Sequence, residues 1–198
     1  LFSQAVQENK TVYELLNQEV AKLGKGPEIT RDYHLLPYFL GNRSPHADPG
    51  ARAIIEGMTL DQSVTSQALQ YYACIQAVAY GTRDIIDAMN NAGYNITQLL
   101  VTGGGAKNPL WLQEHADATG CALVLPEEPE SVLLGSAITA AAACGMYDSL
   151  YQTMAAMSRA GEIVKPRHGT RAYHDAKFTI FRELYQQQQD RRKSMAAF

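Results

Sequence analysis

Gly103, Gly104 and Gly105 stand together between a short apolar run (98–102) and the sequence Ala106-Lys107-Asn108-Pro109-Leu110-Trp111. Adjacent glycines strip a turn of side chains, so its backbone can approach a ligand closely and adopt φ > 0. Asn108 is a good helix N-cap, and Pro109 then takes the first helical position, where its missing N–H costs nothing. A helix starting there aims N–H groups and positive dipole at whatever lies over the glycines. Strand, glycine turn and helix start in this order build a nucleotide or phosphate site. The competing reading is a tight strand-to-helix turn with no ligand.

Two better-known glycine motifs fail on spacing. The run is not G-x-G-x-x-G, and Leu123, Val124 and Leu125 stand about where a ribose-holding acid would be needed, about 20 residues on. A Walker A loop needs Ser or Thr after its lysine, and Asn108 follows Lys107. A dinucleotide-binding domain is therefore disfavoured.

Other chemistry-bearing residues form no pattern. Asp48 sits in a turn sequence, Asp61 precedes a helix and Asp84 lies on a helix face, so each reads as a structural or solvated carboxylate and no catalytic residue is assigned. His34, His46, His115, His168 and His174 show no metal-ligand spacing with one another or with cysteine, and no metal residue is assigned. Cys74, Cys121 and Cys144 are odd in number and far apart. Their apolar surroundings predict buried free thiols in a reducing compartment.

The elements that position the glycine run follow from periodicity. Apolar residues at helical spacing predict helices over 11–23 and 64–91, the second capped by Ser63 or Thr65 and followed by Gly93. Gly81 within it suggests a close backbone approach. Residues 35–40 predict a strand and 41–52 a polar loop. Strand (98–102), helix (109–119), strand (122–125) and helix (131–144) then alternate, which implies βαβ connection and a partly parallel sheet. The second of these helices is crowded with small residues from Gly135 to Ala143, as close packing against neighbours requires. Helices over 148–158 and 173–190 follow, joined by a link at 164–169, and 186–193 reads as a frayed, solvated tail.

With 198 residues, 46% of them hydrophobic, the chain can bury a real core. A net charge of -3 supplies no field to recruit nucleic acid. No charged start followed by an apolar run marks a signal peptide, and no stretch is long and apolar enough to span a membrane. Because it begins at Leu1, the chain is read as processed or as part of a longer protein.

In this order the pieces resemble the C-terminal lobe of the FGGY carbohydrate kinases. The loop from Ser44-Pro45-His46 to Asp48-Pro49-Gly50-Ala51-Arg52 is similar to the family's D-P-x-A-R stretch. Gly57-Met58-Thr59-Leu60 leads into the long helix as the family's G-L-T does, although Gln76 stands where a glutamate is common and the spacing from Gly57 departs from the family signature. Residues 102–108 resemble its adenosine motif, and Glu130 to Ala137 its E-x-x-x-x-G-x-A helix start. Residues 163–166 followed by Tyr173 resemble its usual ending. The tracts 41–45 and 103–109 look most like the ribulokinase branch, which phosphorylates pentuloses.

The resemblance implies an α/β fold of RNase H-like, actin/hexokinase type, truncated at its N-terminal hairpin. It implies a single C-terminal domain over 1–198, with a core of about 30–147 and a helical extension of about 148–190. Gly103, Gly104, Gly105 and Asn108 would line an adenosine pocket, with Ala106 and Lys107 at its edge. The implied cofactors are ATP and Mg2+, held mainly by a missing N-terminal part that also supplies the catalytic base. The implied partners are a sugar or polyol and an N-terminal kinase lobe, in the cytoplasm, with no nucleic acid and no membrane; a homo-oligomer is left open. The chain alone would be inactive. The alternative is a non-catalytic actin-like module that binds nucleotide or a partner protein.

Overall fold

The apolar stripe Ala68, Tyr72, Ile75, Ala79 and Ile86 folds as one long helix, α3 (Val64–Asn91), and buries that face. Ser63 caps it by accepting the Ser66 N–H, and Gly93, at φ 100°, turns the chain away after Ala92. The computed structural model describes residues 1–24, 26–196 and 198.

Before α3 come α1 (Phe2–Gln7), α2 (Val12–Leu23), a 3-10 turn (Pro27–Thr30) and the antiparallel pair β1 (His34–Leu36) and β2 (Ile54–Glu56), with Leu35 opposite Ile55. After it come β3 (Gln98–Leu100), a 3-10 turn (Gly104–Lys107), α4 (Pro109–Thr119) and β4 (Ala122–Pro126). The chain finishes with α5 (Ser131–Ala143), α6 (Leu150–Met157), β5 (Ala160–Val164) and α7 (Arg171–Met195). β3 and β4 pair in parallel, Leu99 opposite Leu123, so α4 is a crossover helix as the alternation predicted. β5 adds antiparallel to the other edge of β4.

α3 carries three layers. On one side α2 contributes Leu16 and Val20 against Ala68 and Tyr72. On another, Leu36, Tyr38 and the α7 residues Phe178, Phe181 and Leu184 close over Ala79 and Tyr80. α4 packs along α3 and turns Leu112 and Ala116 onto Leu123 of the sheet. Thr11 and Glu14 form a reciprocal capping box at the start of α2, which fixes where that helix enters.

Several expectations are corrected. The strand predicted over 35–40 ends at Leu36, because Pro37 has no N–H for a ladder. α1, β2 and β5 carry no usable periodicity and were not anticipated. The tail is not frayed: α7 runs to Met195, Gln188 is buried against the Arg52 backbone, and Arg192 pairs with Asp48 at 2.6 Å. Among the described residues no heavy atom outside its own helix backbone lies within 4 Å of a Cβ placed on Gly81, so the expected close approach is not seen there. Of the cysteines only Cys121 is buried; Cys74 and Cys144 are exposed, and all three are free. On α5 only Ile138 and Ala141 are buried, so most of its small residues face solvent in this chain.

Candidate functional site

The chain leaves β3 at Leu100, and the Val101 N–H still donates to the Val124 carbonyl at 3.0 Å. It reverses at Gly103, whose φ of 93° a side chain would resist. The 3-10 turn follows, with Ala106 N–H donating to Gly103 and Asn108 N–H to Gly105, both at 3.1 Å. Asn108 then caps α4 through Oδ1, which accepts the Leu110 and Trp111 N–H groups at 3.1 and 3.4 Å. Pro109 takes the first helical position as expected. Two of the N–H groups expected to point outward are thus satisfied by the cap.

The three glycines answer to different demands. Gly103 is needed for its backbone conformation. A Cβ on Gly105 would lie 3.2 Å from the Trp111 ring, tight enough to force that ring to shift. A Cβ on Gly104 would meet nothing within 4 Å, and its φ is not in the left-handed region. The turn is exposed from Thr102 to Gly105.

Beside the turn a cleft of about 310 Å³ opens at the carboxyl ends of the parallel strands. That is the end of a parallel sheet where ligands bind. Its walls are mostly apolar, from Leu100, Val101, Val124, Leu125, Pro126 and Ala160, with Ser158 and Arg159 also lining it. Across it Thr102 Oγ1 donates to Ser131 Oγ at 2.8 Å, joining the turn to the start of α5. Lys107 is exposed, as expected of an edge residue, and reaches Glu130 at 3.4 Å. Asn108 is also held from behind, bonded to Asn17 of α2 and Tyr71 of α3.

Of the carboxylates considered as bases, Asp48 and Asp61 are held by hydrogen bonds, whereas Asp84 is buried with no hydrogen bond to its Oδ2 among the described residues. Asp48 accepts from Arg192, Tyr185 and the Gly50 N–H, and the Arg192 hydrogen bond holds its carboxyl below the usual range. Asp61 accepts from the Ser63 N–H and hydroxyl. His46 Nε2 stands 2.9 Å from Asp84 Oδ2.

A second polar cluster, invisible in the spacing, lies behind α4. Arg167 donates Nε to Asp117 at 2.6 Å and a terminal nitrogen to Glu114 at 2.7 Å. Glu114 also accepts from Tyr72 at 2.7 Å and Gln76 at 3.0 Å. His174 Nε2 stands 3.9 Å from Glu114, and its Nδ1 bonds the Tyr80 hydroxyl. Glu114, Asp117 and His174 place one ligand atom each within 4.8 Å of the others. The Arg167 guanidinium already supplies the positive charge between the two carboxylates, so the cluster is an internal ion-pair network. Burial pushes the Glu114 carboxyl up against the pull of Tyr72, Gln76 and Arg167. Burial drives His174 and His115 down to about 4, so both are neutral at pH 7. Only the long-range packing of α3, α4, α7 and the segment before α7 assembles these residues; the one sequence signal was four polar residues, Gln113, Glu114, His115 and Asp117, in the middle of α4.

Residues 2–144 match the FGGY family of carbohydrate kinases, C-terminal domain. An FGGY carbohydrate kinase domain-containing protein of Xenopus laevis is 41% identical over 193 residues, covering 96% of this chain and 35% of that protein. A ribulokinase of Bacillus licheniformis is 33% identical over 188 residues, covering 92% of this chain and 33% of the relative. The chain therefore spans about a third of the length of these relatives. A ligand-bound xylulose kinase from Lactobacillus acidophilus superposes with a TM-score of 0.69 at 22% identity, over 92% of this chain and 36% of that one, which speaks for the fold alone. The α/β fold of actin/hexokinase type expected from the sequence is borne out by this likeness. Among the described residues no helix is long and apolar enough to cross a membrane.

Proposed function

The chain belongs to the FGGY family of carbohydrate kinases, as its C-terminal domain, and from that premise we propose that it is the nucleotide-gripping lobe of an ATP-dependent kinase acting on a pentulose or related polyol in the cytoplasm. The observation that carries this reading is Gly104. Neither strain nor crowding inside the chain requires glycine there. Gly81 and Gly135 share that freedom inside helices, but only Gly104 stands in an exposed turn at a helix start, where a bare backbone suits contact with something outside the chain.

Gly103, Gly104, Gly105 and Asn108 would line the adenosine side of the nucleotide, with Ala106 and Lys107 at the rim. The exposed turn, a helix start and the neighbouring apolar cleft suit a nucleoside with its phosphates toward solvent. ATP with Mg2+ would supply the phosphoryl group, and this chain's part is to bind and orient. The base that takes the hydroxyl proton would come from the part of the longer relatives that this chain does not span. That part would also cover Leu100, Val132 and Leu133, which are 86%, 84% and 68% exposed here. Apolar surface of this kind marks an interface. The likeness to a ribulokinase supports a pentulose as acceptor.

Coupled ADP release tests the reading, run on this chain and on a longer protein that contains it. The longer protein should phosphorylate one of a panel of pentuloses and polyols, while this chain shows no turnover. Turnover by purified chain alone would contradict the division of labour. A longer protein that binds ATP but phosphorylates no sugar would favour the non-catalytic actin-like module.

A further inference from the structure

We infer that Asn17 and Tyr71 are positioning residues for the glycine turn, acting through Asn108. The inference rests on the reading above, that the turn faces a nucleotide.

The side chains of Asn17, Tyr71 and Asn108 form a closed ring of hydrogen bonds. Tyr71 donates its hydroxyl to Asn17 Oδ1 at 3.1 Å. Asn17 donates Nδ2 to Asn108 Oδ1 at 3.1 Å. Asn108 donates Nδ2 to the Tyr71 oxygen at 2.8 Å. Each member gives one bond and takes one around the ring. Turning over one amide alone would break the ring, and turning both would reverse it; the Leu110 and Trp111 N–H groups that begin α4, which need an acceptor, select the sense in which Asn108 presents Oδ1 to them.

Helix packing alone does not explain the ring. α2 and α3 already meet through Leu16, Val20, Ala68 and Tyr72. The Tyr71 aromatic ring packs against the same cluster, and that contact does not need its hydroxyl. What the hydrogen-bonded ring adds is direction, because it ties the residue that ends the glycine turn to two helices distant in sequence. It also leaves one Asn108 Nδ2–H without a partner among the described residues, fixed in direction by the other bonds. A donor held this way beside an exposed turn is preorganised for an acceptor on a bound nucleoside. Tyr71 is kept neutral across the working range, since burial raises its hydroxyl pKa.

The test uses this chain, ADP as probe, and Trp111, its sole tryptophan, which packs under Gly105. Tyr71→Phe removes the hydroxyl and keeps the ring. It should weaken ADP about fivefold or more and speed hydrogen exchange at the Leu110 and Trp111 amides without nucleotide. Asn17→Ala should do the same, and the double variant should lose no more than either single one. Leu184→Ala is the control. It opens the core between α7 and α3 away from the ring, so it should lower the melting temperature and leave ADP affinity unchanged. If Tyr71→Phe binds ADP as wild type does and exchanges at the wild-type rate, the inference is overturned while the nucleotide reading stands. If the wild-type chain binds no ADP at millimolar concentration, the nucleotide reading fails. The exchange rates then still decide whether the ring positions the turn: unchanged rates overturn the inference.

Discussion

The two faces of α4 are opposites. At its start lies the glycine turn, exposed, almost without side chains, and with an open space over Gly104. Behind its middle lies the Glu114–Asp117–Arg167 cluster, which holds the acids, the base and the imidazole that chemistry usually needs. The back is the richer in reactive groups, yet its carboxylates are wholly buried and engaged with one another's partners. The front is poor in groups and has room. A functional site is better recognised by what its own chain fails to explain than by the number of titratable residues in it. The back should therefore govern stability, and the front should govern ligand binding.

The sharpest separation comes from the back. Arg167→Ala leaves Glu114 and Asp117 buried without their cation. Losing one member of a fully buried pair costs about 3–5 kcal/mol; Arg167 is itself a third exposed, so the loss should fall toward or below the lower end of that range and still lower the melting temperature clearly. A variant of wild-type stability would mean that water reaches the cluster and that it is not the internal network described above.

Acid should find two buried imidazoles, His174 beside this cluster and His115 stacked on Trp111. His115 and His174 titrate at about 4 in the folded chain against 6.5 unfolded. Between those values the unfolded chain binds more protons, so their contribution is complete above pH 6.5 and is lost as pH falls toward 4. The loss is up to about 3 kcal/mol apiece. Glu114 works the other way, because its raised carboxyl favours the folded state at low pH and offsets part of the loss. Urea midpoints from pH 7 to pH 4 should therefore fall less steeply in His174→Gln than in wild type. Parallel pH profiles would show that His174 is not held neutral.

A smaller effect is expected where the two faces meet. Asn108→Ala removes the cap of α4 and opens the ring with Asn17 and Tyr71. The cap alone is worth about 1 kcal/mol, so the melting temperature should drop by a few degrees while the fold survives. An unchanged melting curve would remove Asn108 from the structural side of the comparison.

How far the sequence foretold these faces depends on the range of the interactions that make them. β3, the glycine turn, the Asn108 cap and the Pro109 helix start are written in consecutive residues, and each was legible. Even there the reason for each glycine was not: positive φ belongs to Gly103, Trp111 crowds Gly105, and Gly104 has neither constraint. The rear cluster joins residues of α3, α4, α7 and the segment before α7, so no local spacing reports it. β5 is a strand because β4 offers an open edge, not because Ala160-Gly161-Glu162 alternates. Cys74 and Cys144 sit among apolar letters but on outward faces. The small residues of α5 were read as close packing, and in this chain α6 covers only part of them.

Gly104→Val is the most direct test of what lies over the turn. Its side chain would enter open space at an unstrained φ, so stability should change by less than about 0.5 kcal/mol. Calorimetric titration with ADP, beside a melting curve of the same sample, reads both faces at once. We expect a wild-type melting temperature with ADP binding weakened at least tenfold. A variant that melts early yet binds ADP as tightly as wild type in its folded fraction would make the turn a structural feature and leave the nucleotide to some other part of the molecule.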